Sequence, residues 1–141
     1  MADSTIRSIQ MLSHAMTRRS MTTAPKNVYS SAEGRVLAYL FEHYRQEIYQ
    51  KDIEAEFNIR PATASGLLNN MEHKGLITRT KSRHDARRKA IHLSDGASHY
   101  RPTVANEEKT MERTLTKGIS DQELSIFNNI VRKMISNLSD Q

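Results

Sequence analysis

Residues 51–96 constrain this chain more than any other segment. Ile53 and Phe57 give 51–57 one apolar helix face, and Asn58-Ile59 breaks the pattern. Pro61 suits the first turn of a following helix, where its missing N–H costs nothing, and Gly75 marks that helix's end. Segments 76–81 and 88–93 then carry Thr and Ile in near alternation around a loop at 82–87, which reads as a β-hairpin. Two short helices, a glycine stop and a basic hairpin, in that order, are the parts of a winged helix-turn-helix.

The flanks extend this unit with helices. Ile6, Ile9, Leu12 and Met16 recur at steps of three and four, predicting an amphipathic helix to about Met21 that Pro25 ends. Ser30-Ser31-Ala32-Glu33 is a capping-box start, and Val36, Leu37, Leu40, Phe41 and Tyr44 form the apolar face behind it. Ile48-Tyr49 is a candidate short strand. Ser94 is expected to cap a further helix that begins near Gly96, is interrupted by Pro102, and shows Val104, Met111 and Leu115 on its later face. Ser120-Asp121-Gln122-Glu123 opens the last helix, which carries Leu124, Phe127, Ile130, Val131, Met134, Ile135 and Leu138. The expected fold is mainly α with a small β-wing. Residues 1–29 and 97–141 supply N- and C-terminal dimerisation helices around a winged helix-turn-helix at 30–96. The apolar stripe of the last helix is wider than one packing face of a small monomer requires, so a symmetry mate is its expected cover.

Charge singles out the same segment. Between 60 and 92 stand eight Lys/Arg against two acids, so +6, while the remainder holds 13 against 14, so −1; the chain's net +5 is therefore concentrated beside the hairpin. Such a concentration is the footprint of a polyanion site. The absence of Cys removes disulfides, thiolate metal sites and thiol redox sensing. No apolar run approaches a membrane span and no secretory pattern opens the chain, so a cytoplasmic location without membrane contact is expected.

The 61–73 helix has two contrasting faces. At about 100° per residue, Ala64, Leu67, Leu68 and Met71 fall on the inward side. Ala62, Gly66, Asn69 and His73 fall opposite, flanked by Thr63, Ser65 and Asn70. This outward face is small, neutral and hydrogen-bonding, as a groove-filling surface is. Thr and Ser can bond phosphates or base edges, Ala can meet a thymine methyl, and Asn can pair bidentately with adenine. Arg60 and Pro61 lie at its entrance. Gly66 sits mid-helix at a cost of about 1 kcal/mol relative to Ala; it either lets DNA approach the backbone or relieves crowding against another helix. The hairpin packs Arg79, Lys81, Arg83, His84, Asp85, Arg87, Arg88 and Lys89 around one turn, and their self-repulsion calls for an anionic partner. An arginine at such a tip can reach a narrow minor groove, and Asp85 is expected to orient a neighbouring guanidinium.

Other chemistries find little support. The six His lie at 14, 43, 73, 84, 92 and 99, without an i,i+3 or i,i+4 pair, so no metal is expected. There is no glycine-rich phosphate loop, nucleophile elbow or other catalytic spacing, so neither a cofactor nor an enzyme is expected.

The segment resembles the MarR family of bacterial transcription regulators. Pro61-Ala62-Thr63-Ala64-Ser65, Glu72-His73-Lys74-Gly75-Leu76-Ile77, and Asp85-Ala86-Arg87 followed by Ile91-His92-Leu93-Ser94-Asp95-Gly96 carry the likeness. The resemblance implies a homodimer whose first and last helices intertwine, each subunit placing its 61–73 helix in the major groove and its wing near the minor groove of a pseudo-palindromic site on double-stranded DNA. Family members mostly repress, and many are released by a small, often phenolic or otherwise anionic effector. Gly66 departs from the long side chain many relatives carry there, so base preference does not transfer at that position. The peroxide-sensing Cys is missing, and the helical His and Glu ligands of the zinc-sensing branch are not evident. The alternative reading is a winged-helix protein-interaction module whose basic wing meets an acidic partner.

Overall fold

Side-chain caps mark where several helices begin, and they stand where the local spacing predicts them. The computed structural model describes residues 4–19 and 28–139. It contains α1 (Thr5–Arg19), α2 (Ser31–Glu42), α3 (Gln50–Phe57), α4 (Pro61–His73), β1 (Ile77–Lys81), β2 (Lys89–Leu93), a 3-10 helix (Asp95–Tyr100), α5 (Arg101–Leu115) and α6 (Asp121–Ser139). The chain divides into two compact units, Met1–Lys109 and Thr110–Gln141. Met21 and Pro25, expected to close the first helix, lie outside the described residues.

At the start of α2, Ser30 Oγ accepts the Glu33 N–H at 3.2 Å while Ser30 N–H donates to Glu33 Oε1 at 2.7 Å. Ser120 and Glu123 repeat the reciprocal pair at 3.1 and 3.0 Å before α6. Each box satisfies two amides that the first helical turn would otherwise leave unpaired. Helix α4 ends in a Schellman turn: Gly75 N–H reaches the Glu72 carbonyl and Leu76 N–H the Met71 carbonyl, at 3.0 and 2.9 Å. The turn needs φ of +76° at Gly75, which a residue lacking Cβ adopts without strain.

The wing is an antiparallel pair with Ile77 opposite Leu93 and Lys81 opposite Lys89. Ile48 adds a single bridge to Ile91, so the predicted strand at Ile48-Tyr49 is one residue long. One core joins α2, α3, α4, the wing and the start of α5. Val36, Leu37, Leu40 and Phe41 from α2, Ile53 from α3, Leu68 and Met71 from α4, Ile77 and Ile91 from the wing, and Val104 from α5 are all buried. Each contributes roughly 1.5–3 kcal/mol by leaving water. This is a winged helix-turn-helix preceded and followed along the chain by helices.

Three local expectations need correction. Tyr44 does not continue the α2 core face: the helix ends at Glu42 and Tyr44 is 58% exposed, its ring under the Arg101 guanidinium. The Ser94 hydroxyl does not cap the next helix. It donates to the Gly75 carbonyl, because Ser94 N–H bonds the Leu76 carbonyl and draws the residue into the glycine turn. Pro102 does not interrupt a helix either. It sits in the first turn of α5, where no N–H is required, and the change of geometry is from 3-10 to α at Arg101.

Among the described residues, nothing buries the apolar stripes of α1 and α6. Ile6, Ile9, Met11 and Leu12 on α1, and Ile126, Phe127, Ile130, Ile135 and Leu138 on α6, are exposed, and neither helix has a buried residue. Leu124, Val131 and Met134 are half-buried. Among the described residues, no helix is long and apolar enough to cross a membrane.

Candidate nucleic-acid interface

Helix α4 is anchored from beneath and open above. Ala64, Leu68 and Met71 are fully buried and Leu67 is half-buried, as the helical period requires. Helix α3 fixes its entrance, since Gln50 Nε2 donates to the Pro61 carbonyl and to Glu54 Oε2, both at 3.2 Å. Asn58 makes the turn between the two helices in the left-handed region, with φ of 51°, a conformation Asn tolerates better than most residues. The far end is tied to α2, where Lys74 Nζ meets the buried Glu33 carboxylate at 2.7 Å.

On the outer side Arg60, Pro61, Ala62, Thr63, Gly66, Asn69, Asn70 and His73 are exposed, and Ser65 is half-buried. Gly66 faces open space: a Cβ built there meets nothing within 4 Å. Among the described residues, crowding against a neighbouring helix therefore does not account for it.

Arg79 occupies a different place from the other wing cations. Its side chain leaves β1 and lies over α4, only 18% exposed, where one nitrogen, Nη2, donates to both Asn69 Oδ1 and Glu72 Oε1. The Glu72 carboxylate contact is 2.9 Å. The hydrogen bond from Arg79 holds the Glu72 carboxyl below the usual carboxylate range, with partial burial acting the other way. Arg79 is thus tied to the helix, whereas Lys81, Arg83, Arg87, Arg88 and Lys89 are exposed.

The wing turn is organised by Asp85 and Ser82. Asp85 Oδ1 accepts the backbone N–H of Arg87 at 3.0 Å and its Nε at 3.2 Å, and Arg88 Nε lies 3.8 Å from Oδ2. The backbone N–H of Arg87, then its guanidinium, lowers the Asp85 pKa. Asp85 is therefore paired with the Arg87 guanidinium, and the Arg87 side chain is 91% exposed at the tip. Ser82 is buried, and its Oγ accepts the N–H groups of His84 and Asp85 at 3.0 and 3.2 Å.

Three residues in this arrangement escaped the sequence reading. Tyr49, at the start of α3, shares a 3.0 Å hydrogen bond between its hydroxyl and Ser82 Oγ, donates to Glu47 Oε1 at 3.3 Å, and carries the Arg88 guanidinium 5.0 Å above its ring. Glu47 lies beneath the wing with its pKa lowered, first by hydrogen bonding to Ser82, then by the nearby His84. His84 Nε2 is 3.2 Å from Glu47 Oε2. Ser82 lies in an ordinary polar turn of the sequence, and no local pattern ties it to Tyr49.

A small neutral helix face next to a cationic hairpin tip is a surface able to enter one groove of a duplex and touch the adjacent backbone or groove. Known proteins with this arrangement match the chain. Residues 30–88 match the model of the MarR family. YwhA, an uncharacterized HTH-type transcriptional regulator of Bacillus subtilis (strain 168), is 26% identical over 132 residues, spanning 88% of this chain and 92% of that protein. The crystal structure of the transcription regulator MarR from Oenococcus oeni PSU-1 superposes with a TM-score of 0.86 at 27% identity, over 94% of this chain and 99% of that one. MepR of S. aureus, in a complex with DNA, superposes with a TM-score of 0.81 at 28% identity, over 97% of this chain and 99% of that one. Residues 30–88 are thus similar to the MarR family, and the chain shares the winged helix-turn-helix fold of MarR-family transcription regulators.

Proposed function

We propose that the chain is a homodimeric, sequence-specific repressor that binds a pseudo-palindromic operator and is released from it by a small-molecule effector. Helix α4 enters the major groove, and the tip of the wing carries Arg87 to the neighbouring minor groove. The observation that carries this reading is the outer face of α4, exposed from Arg60 to His73 yet free of Lys, Arg or acid between Pro61 and Asn70. A helix meant only for water carries charges there; one meant for a groove carries Ala, Thr, Gly and Asn.

The DNA-facing set is Arg60, Pro61, Ala62, Thr63, Ser65, Gly66, Asn69, Asn70 and His73 from α4 and its cap, with Lys81, Arg83, Arg87, Arg88 and Lys89 from the wing. Asp85 and Arg79 act through their neighbours. Dimerisation is supported by the uncovered apolar stripes on α1 and α6, which a second copy would bury. Repression and effector release rest on the likeness to the MarR family alone. MepR, which is 28% identical, is a DNA-bound relative by the description of its complex.

The test is selection of genomic duplex fragments by the purified full chain, followed by affinity measurement at several salt concentrations. The expected result is an enriched pseudo-palindrome bound at least about a thousandfold more tightly than random DNA, with affinity falling linearly on a log–log salt plot. No enrichment, together with binding to an acidic protein partner, would move the wing to the protein-interaction reading.

A further inference from the structure

Asn69, on the outer face of α4, is held by Arg79 of the wing. Its partner settles which way its amide faces. An Asn amide offers an oxygen that accepts and a nitrogen that donates, and the two ends look alike in outline. A guanidinium only donates, so the end turned to Arg79 Nη2 must be Oδ1. The same Nη2 gives its other hydrogen to Glu72 Oε1 at 2.9 Å, and Glu72 lies one turn along from Asn69. Arg79 is thus braced by a carboxylate and presses a charged donor against the Asn69 oxygen. The Nδ2 amide group is the end left to face outward.

We infer that Arg79 sets the base preference of Asn69, by fixing its amide so that Asn69 meets the operator as a hydrogen-bond donor. This rests on the reading that α4 enters the major groove. A free Asn recognises adenine by donating to N7 and accepting from N6 with its oxygen. Asn69, with one of the two lone pairs of its oxygen taken by Arg79 and that oxygen held toward the wing, is constrained against presenting both halves of that pair to one base edge. It favours base edges that present only acceptors: O6 and N7 of guanine, or O4 of thymine. Cytosine, which presents a donor there, is disfavoured most. Arg79 is a positioning residue in this scheme, distinct from the exposed cations of the wing that meet phosphates.

The experiment measures binding of the full chain to its selected operator and to every single-base-pair substitution of it. Wild type is compared with Arg79→Met, Asn69→Ala, the double variant and Asn69→Asp, each checked for an unchanged melting profile. Arg79→Met keeps the hydrocarbon stem but frees the Asn69 oxygen. It is expected to cut discrimination against adenine about tenfold at one position per half-site and to leave the other positions unchanged. Asn69→Ala should flatten that same position, and the double variant should behave as Asn69→Ala alone. Asn69→Asp retains the Arg79 partner yet turns an acceptor toward the base, so its preference should move to cytosine or adenine, whatever the overall loss of affinity. If Asn69→Ala flattens one position while Arg79→Met weakens all sequences equally, Arg79 is a plain phosphate cation and this inference is overturned alone. If wild type shows no sequence preference on any duplex, the major-groove reading fails and takes the inference with it.

Discussion

Replacing Gly66 by Ala should make the protein more stable and a worse DNA binder. Mid-helix glycine costs about 1 kcal/mol relative to alanine, because its unfolded chain has more conformations to lose. Nothing lies within 4 Å of a Cβ at this site, so no clash offsets the gain. For a chain of this size that gain corresponds to a rise in Tm of about 3–5 °C, measured at fixed protein concentration because a dimer's melting depends on it. A methyl carbon projecting about 1.5 Å from Cα toward a groove in contact with the backbone should lower operator affinity about tenfold, or about 1.4 kcal/mol. Gly34→Ala is the control. Its Cβ would stand 3.1 and 3.3 Å from Cε2 and Cδ2 of the fully buried Tyr29, so crowding opposes the helix gain and Tm should rise less than for Gly66→Ala, with unchanged affinity per folded molecule. Thermal melting and fluorescence anisotropy on the same samples decide the matter. A Gly66→Ala protein that is stabilised yet binds operator as wild type does would refute the close-approach reasoning.

Other outcomes follow from the same geometry. Arg87→Ala should weaken operator binding at least about tenfold without changing Tm, and Asp85→Ala should have little further effect in that background; equal losses from Asp85→Ala in both backgrounds would mean that it does not act through Arg87. By carbon-detected NMR titration, Glu72 and Asp85 should deprotonate below the ordinary values of about 4.3 and 3.9, with Arg79→Met returning only Glu72 toward normal. Depressed carboxyl pKa values place any stabilisation from these contacts above the ordinary values and remove it as pH falls through the depressed ones, so Tm should gain acid sensitivity only below about pH 4. Deleting everything after Ile119 removes α6, and both folding yield and DNA binding should be lost; a truncated chain that is a well-folded monomer with full affinity would contradict the dimer.

What could be read in the sequence was local. The capping boxes at Ser30 and Ser120, Pro61 at the head of α4 and Gly75 at its foot are patterns spanning a few residues, and each stands where its spacing predicts. The inward face of α4 followed from helical period alone. The wing's internal brace was also legible, since Asp85 and Arg87 are two residues apart. What was hidden depends on long separations. Tyr49 and Ser82 meet across 33 positions, and Ser94 reaches Gly75 across 19, so neither contact leaves a local trace. Arg79 looked like one more phosphate cation because its charge is written in the sequence while its direction is set by hairpin register against α4. Tyr44 looked like core because the apolar period outlasts the helix that carries it.

The most direct test of the central claim is a footprint of the full chain on its selected operator, read separately in the two grooves. Major-groove protection from methylation should appear in two half-sites centred about one DNA turn apart, roughly 34–36 Å. Minor-groove protection from hydroxyl radicals should flank them and disappear in Arg87→Ala. A single undivided footprint, or one whose minor-groove part is untouched by Arg87→Ala, would contradict the assignment of α4 and the wing.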